Sequence, residues 1–395
     1  MIRQDHEFSI DVFDSDGHLL GRSAVSPDWA PLAEHVHFSG IRRGILPPAM
    51  SQPPADVCPV WHADRGAPHV DGVRIEMSGP AGQQHGDSFP LDCFKAEAKR
   101  LSGEHVAAGT LKEGELFRYR VRAARRGPVA GPTGRMALLD VEEIEQPLVM
   151  TESSLQAFLD RSMSVGGNVG GNVGGTEGGG AGERLGQRSG MDDGVLPVFV
   201  AQDLVEQCVD LVRAAGDLET GGILIGRLHH DPSAGAEGIF LEITAQIPAR
   251  HTDQAEMRVT FTDKTWAAAR DALALRHSQE SIVGWFHSHP DFCRKCPAEK
   301  REKCSLNGIF FSTADVSLHR TMFPRAWHVG LLFSNRPSGI IPALYGWDRG
   351  VVAAKPFHLL APPNEVVDPL FRKTLGAVEA PILATVGGDE HGNTH

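Results

Sequence analysis

A glycine-rich segment at residues 162–190 constrains the fold of this chain more than any other sequence feature. It contains a Gly-Gly-Asn-Val tandem at residues 166–175. Glycine loses the most backbone entropy on ordering, and the neighbouring residues offer little apolar surface to bury in return. We therefore expect a flexible tether of roughly 30 Å root-mean-square span between two independently folded parts. A long disordered loop inside one domain is the alternative.

The length of the chain also favours two domains, because 395 residues exceed what one core usually supports. The sequence predicts an N-terminal α+β domain at 1–160, a glycine-rich linker at 161–192, a second domain at 193–355, and a proline-rich, polar tail at 356–395. Alternating apolar residues predict strands in the first domain, and 94–101 is typical of a helix. That domain contains no chemical motif, so the sequence assigns it no role.

Composition and charge exclude several classes of protein. A formal net charge of -12 argues against nucleic acid and against an anionic membrane surface as the main partner. No apolar run approaches the roughly 20 residues that span a bilayer. The first residues lack the basic start and apolar core of a secretory signal. We therefore expect a cytoplasmic protein whose six cysteines are thiols or metal ligands rather than disulfides.

The most informative motif is His-Ser-His-Pro at residues 287–290, at the end of a predicted strand that begins at Ser281. Side chains at i and i+2 of a strand point to the same face, so His287 and His289 project together and Ser288 points away. Pro290 cannot donate a hydrogen bond to the sheet and is suited to end the strand. Two imidazoles and one carboxylate would form a three-ligand zinc site with a fourth position open for water.

Two further motifs supply the groups that such a site lacks. Asp315 lies in Ser-Thr-Ala-Asp at residues 312–315, where a helix is predicted to begin, and is the natural third ligand. Taken alone, Ser312 and Asp315 are typical of a capping box. Glu219, before a pair of glycines, is placed to act as a proton shuttle, and Ser312 to stabilise an oxyanion. Without the histidines, Glu219 would be an ordinary exposed acid before a strand.

These residues resemble the JAB/MPN (JAMM) metalloproteases, whose signature is an upstream glutamate, then His-Ser/Thr-His-Pro, then Ser-X-X-Asp. The resemblance covers about 196–355 and includes Glu-Thr-Gly-Gly-Ile-Leu-Ile-Gly at 219–226. It implies an α/β (α+β) fold with a mixed β-sheet flanked by helices. It also implies the roles of five residues: zinc ligands His287, His289 and Asp315, general acid/base Glu219, and oxyanion stabiliser Ser312.

The resemblance implies a zinc-dependent isopeptidase or peptidase that cleaves after the C-terminal end of a ubiquitin-like protein. The substrate partner would be that protein or its conjugate, and the N-terminal domain would be free to bind another protein. Two alternatives stay open. One is a processing protease for a sulfur-carrier protein or small peptide, and the other is a non-catalytic MPN scaffold. A full ligand set disfavours the scaffold.

The sequence departs from the family pattern between Pro290 and Ser312, where twenty-one residues intervene, more than the family usually has. This insertion contains Cys293, Cys296 and Cys304. A Cys-X-X-Cys pair with a third cysteine nearby predicts a second, structural zinc, for which His319 is one candidate fourth ligand. A redox-sensitive thiol cluster, or unpaired cysteines in a basic loop, are the alternatives.

Overall fold

The computed structural model describes residues 1–126, 148–165, 195–249, 261–276, 279–291, 309–336 and 339–363, together with 297 and 365, apart from the side chains of 236 and 237. The chain divides into two compact units. The first comprises Met1–Leu148 and Arg349–Val351, and the second comprises Val149–Asp348 and Val352–His395. None of the described helices is long and apolar enough to cross a membrane.

The first unit combines two sheets with two helices, as the α+β prediction requires. Its strands are β1 (Ile2–Gln4), β2 (His6–Phe13), β3 (Leu19–Val25), β4 (Ala55–Trp61), β5 (Val70–Ser78), β6 (Gln84–Pro90) and β7 (Arg118–Arg125), and its helices are α1 (Ala30–Arg42) and α2 (Lys95–Ala107). One sheet has the order β1-β4-β5-β6 and the other β3-β2-β7.

Strand β2 shows why the smaller sheet has one apolar and one charged face. Phe8, Ile10 and Val12 are buried in the core of the unit. Asp11, on the opposite face, is also buried and accepts hydrogen bonds from Arg22 on the neighbouring strand. Burial raises the pKa of Asp11, but the hydrogen bonds and charges of Arg22 and Arg122 outweigh it and hold the pKa below its ordinary value.

The second unit is built around one long mixed sheet. Its strands are β8 (Met150–Glu152), β9 (Ser162–Val165), β10 (Val198–Ala201), β11 (Gly221–His230), β12 (Ile239–Pro248), β13 (Ser281–His289), β14 (Val329–Arg336), β15 (Gly339–Asp348), β16 (Val351–Lys355) and β17 (Phe357–Leu360). Its helices are α3 (Leu155–Asp160), α4 (Gln202–Ala215), α5 (Asp263–Arg276) and α6 (Thr313–Met322). The strand order is β16-β15-β14-β13-β11-β12-β10-β17-β9, and β8 pairs with β11.

Most elements predicted in the second unit are confirmed. The His-X-His strand and the helix after Ser312 have the predicted bounds, at Ser281–His289 and Thr313–Met322. The hairpin of β15 and β16 turns at Arg349 and Gly350, both of which have positive φ. On α4, Leu204, Val205, Cys208, Val209 and Val212 are buried and form its apolar face.

The predicted interdomain tether is wrong, because both of its flanking segments belong to one sheet. β9, which takes up residues 162–165 of the predicted linker, pairs antiparallel with β17, and β17 pairs in parallel with β10, which begins at Val198. Residues 166–194 lie outside the described residues, but they connect two strands of the second unit. The segment therefore does not separate two domains, and the predicted boundary at residue 160 falls inside the second unit.

Polar contacts attach the segment before the glycine-rich stretch to the large sheet. His229 of β11 lies with Nδ1 2.8 Å from Ser153 Oγ and with Nε2 3.0 Å from Glu242 Oε2. The Leu155 amide, at the start of α3, donates to Asp231 Oδ2 over 2.7 Å. These bonds give hydrogen-bond partners to His229 and Asp231, two polar residues of the large-sheet region that are buried where β8 and α3 pack. Residues 150–160 therefore belong to the second unit and not to the N-terminal domain in which the sequence placed them.

The predicted C-terminal tail is also partly wrong, because its first residues form β17 within the large sheet. Phe357, Leu359 and Leu360 are almost fully buried. The run is short, follows a proline, and acquires its strand identity from pairing with β9 and β10 rather than from its own periodicity. Residue 364 and residues 366–395 of the predicted tail lie outside the described residues.

Because β17 is part of the core of the second unit, shortening one of its buried side chains should destabilise that unit. Leu359→Ala is expected to lower the free energy of unfolding by about 2–5 kcal/mol, because a side chain with 0% exposure loses its contacts and leaves a cavity. Urea unfolding followed by tryptophan fluorescence measures the change. Leu275→Ala, at a leucine that is 76% exposed, is the matched control and should stay within about 0.5 kcal/mol. Equal effects of the two variants would contradict this placement of β17.

Candidate metal centre

Strand β13 brings two histidines to one point on the same face of the sheet. His287 and His289 are 1% and 5% exposed, and their Nε2 atoms lie 3.1 Å apart. Trp285, two residues earlier on the same face, stacks on the His287 ring with centroids 4.5 Å apart and planes at 12°. The period of two in an extended strand thus puts a large aromatic ring beside the imidazole pair.

Helix α6 supplies the carboxylate. Ser312 caps the helix: its Oγ accepts from the Asp315 amide over 3.2 Å, and Asp315 Oδ2 accepts from the Ser312 amide over 2.7 Å. The capping box is therefore present, and the same carboxylate reaches both histidines. Asp315 Oδ1 lies 3.4 Å from His287 Nε2, and Oδ2 lies 3.3 Å from His289 Nε2. The cap and the proposed ligand role share the Asp315 carboxylate, whose Oδ2 atom accepts from the Ser312 amide and faces His289 while its Oδ1 atom faces His287.

The spacing of these donor atoms fits a tetrahedral metal ion. His287, His289 and Asp315 form a group whose ligand atoms all lie within 4.8 Å of one another. Two ligands bound at about 2.0 Å in a tetrahedron are about 3.3 Å apart. The two imidazole nitrogens are 3.1 Å apart, and each lies 3.4 or 3.3 Å from a different oxygen of the Asp315 carboxylate, so the side chains are close enough to share one ion.

The electrostatics of the group also suit a cation. Burial lowers the pKa of His287 below its usual range despite the opposing charge of Asp315, which keeps the imidazole neutral and its lone pair available. Burial alone would raise the pKa of Asp315, but the interactions with His287 and His289 outweigh burial and hold the pKa below its ordinary value, so the carboxyl is ionised. Metal ligands must be deprotonated, and His287 and Asp315 meet that requirement.

The orientation of His287 depends on aromatic packing. Its Nδ1 atom is buried and has no hydrogen-bond partner among the described residues. Trp285 holds the ring by stacking, and the Trp285 indole in turn donates to His319 Nδ1 over 3.1 Å. Burial lowers the pKa of His319 to about 3, so this ring is a neutral acceptor.

The same contacts bear on the predicted second zinc. His319 has 0% exposure and lies in the core beneath Trp285, where its Nδ1 atom already accepts a hydrogen bond. His319 therefore supports the first site through this contact, and its role as a fourth ligand for the cysteines stays a prediction. Cys293, Cys296 and Cys304 themselves lie outside the described residues.

An aromatic wall behind the centre was not singled out by the sequence motifs. Phe311, next to Ser312, stacks on Tyr345 with centroids 4.1 Å apart and also contacts His287. Burial raises the pKa of Tyr345 to about 12, so its hydroxyl remains protonated and donates to the Ile309 carbonyl. Trp285 had a sequence signal, because it precedes His287 by two residues. Phe311 and Tyr345 meet through tertiary packing.

Glu219 lies on the segment that leads into β11. Gly221 pairs with His287 across the sheet, and Thr220 hydrogen-bonds with Ser288 in both directions. Glu219 is half-buried and immediately precedes Thr220 in the chain. The structure thus places its backbone beside the strand end that carries the two histidines.

A second group of potential ligands, Asp14, Asp16 and His18, lies in the turn between β2 and β3 of the first unit. Asp16 and His18 are exposed, and the Asp14 carboxylate already accepts from the His18 amide and faces the His18 ring. Exposed acidic turns of this kind are common without an ion, so the group serves as a control.

Part of this chain is similar to a known protein family and to a solved structure. Residues 193–299 match the family described as JAB1/Mov34/MPN/PAD-1 ubiquitin protease, a match that includes both histidines and ends before Ser312 and Asp315. A similar solved structure is the solution structure of protein DSY2949 from Desulfitobacterium hafniense, at 17% identity, covering 43% of this chain and 95% of that one with a TM-score of 0.29. None of the curated proteins matches the chain.

The geometry predicts stoichiometric metal binding at this centre. His289→Ala and Asp315→Ala should each remove about one zinc per chain, because two donors do not hold the ion as three do. Metal analysis after reconstitution and gel filtration measures the content, and visible absorption of the cobalt form reports the geometry.

Two controls make this result interpretable. Asp14→Ala alters the exposed acidic turn and should change nothing. A Cys293→Ser, Cys296→Ser, Cys304→Ser variant counts separately any zinc held by the cysteines. Retention of full zinc content by Asp315→Ala in the cysteine-free background would contradict the assignment of the centre.

Proposed function

Residues 193–299 place the second unit of this chain in the JAB/MPN family, and from that premise we propose that it is a zinc-dependent peptidase or isopeptidase. The substrate is a ubiquitin-like protein, cleaved after its C-terminal end either in a conjugate or in a precursor. One observation carries the proposal: two buried imidazoles of β13 and a carboxylate of α6 converge, with their potential ligand atoms all within 4.8 Å of one another.

His287, His289 and Asp315 would hold the zinc. When bound, zinc polarises the substrate carbonyl and lowers the pKa of a coordinated water toward about 7. The chain's own contribution is to keep the ligands deprotonated and rigid. Burial keeps His287 neutral, and the capping box fixes the Asp315 carboxylate at the start of α6.

Glu219 is the proposed proton shuttle. Amide hydrolysis needs a group that accepts a proton from the attacking water and returns it to the leaving amine, since the amine leaves poorly as an anion. Glu219 is suited to this role because its backbone adjoins the strand pair that carries His287 and it is half-buried rather than fully solvated.

Ser312 is the proposed oxyanion donor. Its Oγ accepts a hydrogen bond from the Asp315 amide, which orients the side chain. The hydroxyl hydrogen is not used in that bond and can be donated to a negatively charged oxygen. A donor aligned in advance is worth more than one that must rotate into place during the reaction.

Two other functions fit the family. Processing of a sulfur-carrier protein uses the same chemistry on a different substrate, so cleavage products separate it from deconjugation. A non-catalytic scaffold does not need a buried, deprotonated ligand set, and burying charge without a use costs stability. The convergence of His287, His289 and Asp315 therefore favours an enzyme.

Glu219→Ala is expected to lower the cleavage rate by about 10²–10⁴ through loss of proton transfer, with zinc content unchanged. The assay panel comprises diubiquitins of each isopeptide linkage and linear fusions of ubiquitin and of a small sulfur-carrier protein, with products identified by mass spectrometry. Asp217→Ala, two residues away and exposed, is the matched control and should retain wild-type activity. Wild-type activity in Glu219→Ala would contradict the mechanism.

Ser312→Ala is expected to lower kcat by about 10²–10³ with little change in KM, because the lost hydrogen bond forms in the transition state. Ser312→Thr keeps both the helix cap and the hydroxyl and should retain most of the activity. Helix stability is checked by thermal unfolding of the two variants. An Ala variant as active as the Thr variant would leave Ser312 with a capping role alone.

A further inference from the structure

Ser288 lies between the two metal-site histidines and is as buried as they are, with 1% exposure. The alternation of β13 directs its side chain to the face opposite His287 and His289. Nothing in the metal centre therefore uses its hydroxyl.

The hydroxyl of Ser288 is instead bonded to the chain that leads into β11. The Thr220 amide donates to Ser288 Oγ over 3.0 Å, and the Ser288 amide donates to the Thr220 carbonyl over 2.8 Å. The regular ladder between the two strands has its terminal pair at Gly221 and His287. The serine side chain acts as an additional acceptor that extends the pairing by one residue, to Thr220.

The other side of this segment is held as well. The Ala249 amide donates to the Gly221 carbonyl over 2.8 Å. At Gly222, an added Cβ would lie 2.3 Å from the Ile247 carbonyl oxygen, so the close pairing with β12 requires glycine. Residues 220–222 are thus fixed by β12 and β13, and Glu219 is the residue that immediately precedes this fixed segment.

We propose that Ser288 is a positioning residue: its hydroxyl fixes the backbone of Thr220 and thereby holds Glu219 at its working distance from the His287–His289 pair. This inference rests on the proposed function and deepens it. Consecutive Cα atoms are 3.8 Å apart, so a residue adjoining a fixed neighbour has little freedom of translation. Removal of the hydroxyl leaves the Thr220 amide without its acceptor and Glu219 on a looser segment, and displacements near 1 Å can cost about 10²-fold in rate.

The test compares Ser288→Ala with Ser288→Thr, which keeps the hydroxyl, and Ser288→Cys, which replaces a strong acceptor by a weak one. Three quantities are measured for each: zinc content, kcat and KM on the substrate that wild type cleaves in the ubiquitin and carrier panel, and hydrogen exchange of the Thr220 amide by NMR. Ser288→Ala should keep its zinc, lose about 10- to 100-fold in kcat with KM nearly unchanged, and exchange the Thr220 amide faster. Ser288→Thr should recover both properties, and Ser288→Cys should fall between.

A double variant separates positioning from general destabilisation. If Ser288 acts through Glu219, Ser288→Ala should cause no further loss in a Glu219→Ala background, because coupled residues are not additive. Independent, multiplying losses would overturn the proposal, as would wild-type kcat or unchanged Thr220 exchange in Ser288→Ala. If Ser288→Ala does not fold, the Thr and Cys variants carry the same comparison.

The two proposals fail in different ways. Absence of cleavage by the zinc-loaded wild type removes the proposed function, and with it the catalytic meaning of the Ser288 contact. Cleavage that depends on Glu219 but is indifferent to Ser288 keeps the function and overturns the positioning role.

Discussion

The candidate site depends on the alternation of side chains along one extended strand. In β13, Trp285, His287 and His289 share a face, and Ser288 lies on the other. The first face carries two of the three candidate metal ligands and the ring that stacks on one of them, while Ser288 on the second face hydrogen-bonds to Thr220, the residue after Glu219. A one-residue shift in the pairing of β11 with β13 would reverse both sets. Hydrogen bonds on both sides of β13 prevent that shift, because it pairs with β11 and with β14.

Burial makes the same residues chemically suitable. An imidazole removed from water loses affinity for a proton, and a carboxylate held by two imidazoles and a backbone amide stays ionised. Such a set is costly without a cation, because several polar atoms converge with little water to solvate them. The helix cap at Ser312 lowers part of that cost by giving Asp315 a permanent hydrogen-bond partner. The Asp315 carboxylate therefore serves both the cap of α6 and the candidate metal site.

The second unit is larger than the region that carries the family motifs. Strands β8 and β9 and helix α3 lie before residue 166, outside the region that carries the motifs, and β17 lies after it. All four elements pair or pack within the same sheet or its core. Phe158 illustrates this point, since its ring contacts Phe199 and Phe240 of the sheet. The glycine-rich segment is an insertion in a domain, and a truncation that begins at residue 193 would remove two strands and a helix from it.

The sequence by itself determined the local elements and the identity of the site residues. Alternation predicted β13, and capping chemistry predicted the start of α6. These features depend on interactions a few residues apart, which a sequence records directly. The resemblance to a family with the same motifs predicted which residues meet.

Tertiary structure alone decided the domain boundary, the role of residues 357–360 and the supporting contacts of the site. A four-residue apolar run is a strand when partners such as β9 and β10 lie beside it, and its own periodicity is too short to show this. The glycine-rich segment gave the wrong boundary because composition reports local flexibility and not which elements the ends of a segment pair with. The contact of Ser288 with Thr220 spans sixty-eight residues of sequence. Such non-local pairing depends on the whole sheet, and this is the physical reason that the sequence could not predict it.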